Sequence, residues 1–116
     1  VALIRRGEIW VACLHPNHGA EVGKIRPVVV IQADPLSEAG LATVLVVPLT
    51  TQQRRGAEAL RVSVPARDRL LRESYAMAEQ PRALERTRIG EGPLTSLSAE
   101  EMAVLEQALR GAMGMA

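Results

Sequence analysis

Arg26 and Thr50 are the two side-chain types that a phosphodiester most needs: a permanent planar cation and a hydroxyl donor. Arg26 stands before Pro27 and the apolar run Val28-Val29-Val30-Ile31. Thr50 opens Thr50-Thr51-Gln52 just after a second run, Val44-Leu45-Val46-Val47. If the two runs pair antiparallel about a loop near residue 38, Arg26 and Thr50 become partners across the ladder on one face. The Gly-containing segment from His15 to Lys24 runs straight into Arg26 and must reach the same sheet edge. It carries His18, Glu21 and Lys24, so donors, acceptors and cations converge there. Arg54, Arg55 and Arg61 follow Thr51 closely and form a local basic rim that suits a few phosphates, with a solvated basic loop as the competing reading.

The elements that must position these residues read mostly as short strands. Gly7 to Leu14 is β-prone, and the run 25–33 is apolar on both faces, as a central strand is. Arg26 precedes a proline, which biases it towards extended backbone. Asp34-Pro35 to Gly40 reads as a connector that has room for one helical turn. The run 42–50 puts Pro48 opposite Val28, which implies a strand end, a bulge or an edge. Leu60 to Val64 alternates, Ser74 to Ala78 is a further strand candidate, and Arg86 to Ile89 is a short one. Many short strands with turns between them suggest a small barrel rather than a layered α/β fold, a mainly β (α+β) class.

The end of the chain predicts a helix. Ser98-Ala99-Glu100-Glu101 has the spacing of a capping box, with Leu97 and Met102 at the staple positions. Met102, Leu105, Leu109 and Ala112 form an apolar stripe at helical spacing, closed by Gly111 and Gly114. The stripe is expected to pack on the barrel or at a subunit interface.

Composition narrows the function classes. A chain of 116 residues is expected to be one domain over 1–116. With 47% apolar residues and no Phe, its core must be aliphatic. Trp10 and Tyr75 are the only aromatics, too few for a platform on which bases stack. The net charge of +1 excludes a histone-like polycation. Residues 98–116 carry three Glu against one Arg, a net of −2, which leaves +3 for the remainder. The single Cys13 fits a reducing cytoplasm, Val1 to Ile4 is too short for a signal-peptide core, and no run approaches a membrane span. Cys13, His15 and His18 lack a fourth zinc ligand, so neither metal nor cofactor is expected.

Five motifs occur in order: Arg6-Gly7-Glu8-Ile9-Trp10, Gly19-Ala20-Glu21, Arg26-Pro27-Val28-Val29-Val30, Val47-Pro48-Leu49-Thr50-Thr51-Gln52 and Glu79-Gln80-Pro81-Arg82. Together they resemble the MazF/PemK family of toxins, the mRNA interferases of toxin–antitoxin modules. The resemblance runs from about Arg6 to Leu109. It implies an SH3-like barrel with a C-terminal helix, a homodimer, a cognate antitoxin as partner, and metal-independent cleavage of single-stranded RNA. On that resemblance Arg26 matches the arginine held to be catalytic, and Thr50 matches the functional threonine that would donate to the scissile phosphate. Glu21 matches the loop carboxylate, either a general base on the 2′-hydroxyl or a partner of Arg26 when RNA is absent. Thr51, Gln52, Arg54, His18 and Lys24 are expected to contact RNA, and Glu79 and Gln80 to read base edges or brace the cleft.

This sequence departs from some relatives in two places. They carry histidine directly before the loop glutamate, where this chain has Ala20, with His18 three residues before Glu21. They also carry arginine two residues before the later acid, where this chain has Met77. The alternative function is that of a non-enzymatic toxin resembling CcdB, which binds a topoisomerase and has no use for Glu21, Arg26 and Thr50.

Overall fold

The computed structural model describes residues 3–14 and 24–115. The strands are β1 (Glu8–Cys13), β2 (Ile25–Val30), β3 (Thr43–Thr50), β4 (Arg61–Val64), β5 (Ser74–Met77), β6 (Arg82–Glu85) and β7 (Thr95–Ser96). The helices are α1 (Asp34–Glu38) and α2 (Ala99–Met113). Every strand pairing is antiparallel, and the sheet runs β4-β5-β3-β2-β1-β7, with β6 also on β3. Among the described residues the result is a mainly β half-barrel of seven strands with a C-terminal helix, as the density of short strands predicted.

Two-residue periodicity sorts the apolar side chains into two cores. Val29, Val47, Leu49, Val62, Val64 and Ala76 face one way, and Leu105 and Leu109 of α2 cover them. Val28, Val30, Val44 and Val46 face the other way and pack with Trp10, Leu14 and Leu84. The central strands therefore need apolar residues on both faces, which is why their sequences are unbroken valine-rich runs. Burying Leu105 and Leu109 is worth about 2 to 3 kcal/mol each, enough to dock α2 on the sheet.

The capping box at Ser98 forms as its spacing predicted: Ser98 Oγ accepts from Glu101 N at 3.1 Å, and Glu101 Oε1 accepts from Ser98 N at 2.8 Å. The helix does not stop at Gly111, which lies inside it, and Ala112 is exposed. The stop is Gly114, whose φ of 69° is the left-handed geometry that costs glycine least. There Met115 N donates to Arg110 O at 2.8 Å and closes the end.

Three other features differ from the sequence reading. Pro48 pairs with Val28 as predicted, but it lies within β3 rather than at its end. Leu45 O accepts from Ile31 N, so alternation turns the Pro48 nitrogen away from β2. It faces the gap where β6 pairing stops at Val46 and β5 pairing starts at Leu49. The missing N–H is harmless there, because β3 is changing partners. The short strand expected at Arg86–Ile89 lies four residues earlier, at Arg82–Glu85, and Arg86–Arg88 is a 3₁₀ turn. The two-residue β7 was not expected. It exists because Glu8 and Ile9 need ladder partners on the open side of β1.

Candidate active site

The strand register gathers the candidate residues on one face. β2 and β3 pair Val28 with Pro48, Val29 with Val47 and Val30 with Val46, so the sum of partner numbers is constant. Alternation along β2 puts Arg26 on the face of Val28 and Val30, and along β3 it puts Thr50 on the face of Val44 and Val46. Across the next rungs Thr50 pairs with Tyr75, Tyr75 with Ser63, and Met77 with Arg61. Arg26, Thr50, Met77 and Arg61 thus stand on the same face of four neighbouring strands, β2, β3, β5 and β4. The face opposite them carries Leu49, Ala76 and Val62, beneath α2.

A cavity of about 360 Å³ opens on this face, lined by Arg26, Thr50, Arg54 and Arg61 together with the amides of Gln52, Gln53 and Gln80. A smaller one of about 200 Å³ adjoins it, lined by Lys24, Arg26, Thr50, Thr51 and Ser74 among others. Arg26 and Thr50 belong to both. The predicted convergence of a guanidinium and a hydroxyl at one sheet edge is therefore present. Thr50 Oγ1 accepts from Gln52 N at 3.2 Å, a turn that leaves the hydroxyl proton free to donate elsewhere. Tyr75, on the rung opposite Thr50, has its phenol pushed up by desolvation and by the nearby Glu73 carboxylate, so it stays protonated at neutral pH.

The loop candidates divide. Leu14 N donates to Lys24 O at 2.7 Å, which joins the residue after β1 to the residue before β2. Lys24 has φ of 69°, a left-handed backbone that turns the chain into β2. Glu21 and His18 lie outside the described residues, as does His15. Among the described residues no group of three His, Cys, Asp or Glu could hold a metal ion. Glu79 does not line either cavity. Its Oε2 lies 2.8 Å from Arg61 Nη2, so it meets the site through that arginine. Gln80 lines the larger cavity, and its Nε2 approaches Met77 Sδ at 3.9 Å.

Gln53 and Met77 were not expected at the site, and Arg61 was read only as part of a basic rim. The signal for Arg61 was present in the alternation Arg61-Val62-Ser63-Val64, which puts it on the face away from the α2 core. No sequence feature shows that this face meets Thr50, because the meeting depends on β5 lying between β4 and β3.

Residues 5–113 match the family described as PemK-like, MazF-like toxin of type II toxin-antitoxin system. The chain belongs to that family. Among solved structures it is similar to MazF from Deinococcus radiodurans, at 21% identity and a TM-score of 0.84, covering 99% of this chain and 100% of that one. It is also similar to the Mycobacterium tuberculosis toxin MazF-mt6, at 24% identity and a TM-score of 0.77, covering 94% and 98% respectively. A third similar structure is an endoribonuclease in complex with its cognate antitoxin from a mycobacterial species, at 20% identity and a TM-score of 0.75, covering 100% and 98%. No helix among the described residues is long and apolar enough to cross a membrane.

Proposed function

We propose that this toxin is an endoribonuclease that cuts single-stranded mRNA, sequence-selectively and without a metal, by attack of a 2′-hydroxyl on the adjacent phosphodiester. The observation that carries the proposal is that Arg26 and Thr50, on neighbouring strands, line one polar cavity with Arg54. Family membership and the mycobacterial endoribonuclease of similar fold support it.

In this reading Arg26 engages the non-bridging oxygens and stabilises the charge that builds on the phosphorane. Its first task is electrostatic. Thr50, with its acceptor side occupied by Gln52 N, donates its proton to a phosphate oxygen. A base removes the 2′-hydroxyl proton, the new O2′–P bond forms, and the P–O5′ bond breaks. A proton then reaches the leaving O5′. Glu21 is proposed as the base and His18 as the second candidate for proton transfer. The products are a 2′,3′-cyclic phosphate and a 5′-hydroxyl. DNA is refused because it lacks the nucleophile.

Gln52, Gln80 and Thr51 offer hydrogen bonds to bases or sugars, and Arg54 and Lys24 neutralise flanking phosphates. The toxin is proposed to act as a cytoplasmic homodimer restrained by a cognate antitoxin whose tail covers the cleft. A groove of about 720 Å³ between α2 and the segment 58–62, beside the exposed Val104, gives such protein partners an apolar surface.

The test is digestion of a long single-stranded RNA in the presence of EDTA, with end-group analysis. Discrete fragments ending in a 2′,3′-cyclic phosphate and a 5′-hydroxyl, lost in Arg26→Ala, are expected. Intact RNA, or fragments with 5′-phosphate ends, would overturn the proposal.

A further inference from the structure

Arg61 is held in an unusual way. Its side chain is only 6% exposed, and among the described residues its ion-pair partner is Glu79, Nη2 to Oε2 at 2.8 Å. Arg61 Nε and Nη1 are buried without a hydrogen-bond partner among the described residues, and so is Glu79 Oε1. A guanidinium facing a carboxylate can form two parallel bonds, and here it forms one. The three N–H groups on Nε and Nη1 have lost water and gained nothing, which costs their full desolvation. Buried charge left in this state in a folded protein needs an explanation, and an absent acceptor is the simplest.

The position of Arg61 says what the acceptor is. It lines the same cavity as Arg26, Thr50 and Arg54, whose described lining holds three arginines and no carboxylate. An anion is therefore favoured over a neutral group. Strands β5 and β3 separate β4 from β2, so the strands that carry Arg61 and Arg26 lie roughly 14 Å apart across the sheet, with Arg61 offset further along the register, opposite Met77 rather than Tyr75. That span suits two successive phosphates of one strand better than two oxygens of a single phosphate.

We propose that Arg61 binds a backbone phosphate of the RNA next to the one that is cleaved. Its idle N–H groups turn to the phosphate oxygens while Glu79 keeps hold of Nη2. The inference rests on the RNA-cleaving reading and assigns one side chain within it. Glu79 then serves to position Arg61.

The test uses a single-stranded RNA oligonucleotide that spans a mapped cut site, made uncleavable by a 2′-deoxy nucleotide before the cut. In a series of such oligonucleotides each flanking phosphate in turn is replaced by a neutral methylphosphonate. The wild-type toxin should lose about tenfold in affinity at one flanking position. Arg61→Gln should bind about tenfold more weakly throughout and be indifferent to that position. The Arg61→Gln/Glu79→Gln pair leaves no unpaired buried charge, and it should behave the same way. Glu79→Gln alone retains the cation and should keep the positional sensitivity. The slope of log affinity against log salt should fall by about 0.7 when Arg61 is replaced. Unaltered positional sensitivity in both Arg61 variants, or an unaltered salt slope, would overturn the inference. Failure of the wild-type toxin to cut RNA at all would instead overturn the proposed function.

Discussion

Replacing Glu101 by glutamine removes a carboxylate that joins three parts of the fold. Its two oxygens accept from Arg67 Nη1 at 2.8 Å and Nη2 at 2.6 Å, and Oε1 also accepts from Ser98 N at 2.8 Å. Arg67 donates as well to the Ser96 carbonyl at 2.8 Å, so the start of α2 is tied to β7 and to the turn before Leu70. The Arg67 bond holds the Glu101 carboxyl down to about 2, from an ordinary 4.5, and the Ser98 backbone bond assists. That difference corresponds to at most about 3 kcal/mol of folding stability. Because the Glu101 side chain is 21% exposed, screening reduces the expected loss to about 2 kcal/mol at neutral pH.

The sign follows from the lowered folded value. The stabilisation is complete above 4.5, where the unfolded chain is also ionised, and it disappears as pH falls towards about 2. Urea unfolding of the parent and Glu101→Gln across this range should give curves that differ by about 2 kcal/mol at pH 7 and converge in acid. At neutral pH the melting temperature should drop by about 8 °C. A difference below about 0.5 kcal/mol at pH 7, or one that persists undiminished at the acid end, would refute the reasoning.

Thr50→Val keeps a β-branched strand residue and removes the donor, so single-turnover RNA cleavage should fall by about 10²- to 10³-fold while unfolding changes by less than about 1 kcal/mol; a rate within a few-fold of the parent would remove Thr50 from the chemistry. Arg26→Lys keeps the charge but loses the planar fork, and cleavage should drop by at least about 10²-fold in the same assay. Gly92→Ala would bring a methyl to 2.5 Å from Trp10 Cδ2 and 2.6 Å from Cε3, in a buried ring. It should cost about 1 to 3 kcal/mol in thermal unfolding. Ser98→Ala deletes the acceptor for Glu101 N and should cost about 1 kcal/mol in the same measurement.

Local chemistry was legible in the amino-acid order. Ser98 and Glu101 capped α2 because a capping box needs only four consecutive residues. The valine runs of β2 and β3 declared central strands, and the positions of Arg26 and Thr50 within them declared a shared face. A two-residue period and one hairpin suffice for that. Arg82–Glu85 and Thr95–Ser96 were not legible, since such short strands exist only where β3 and β1 offer them an open edge.

Only the tertiary structure decided which distant residues joined the site. Arg61 and Met77 reach Thr50 because β5 inserts between β4 and β3, and the sequence carries no local mark of that order. The single contact between Arg61 and Glu79, and the donors it leaves unused, depends on burial by the whole sheet. Periodicity is a property of neighbours along the chain, whereas a pocket is made by strands that meet only after the chain has folded.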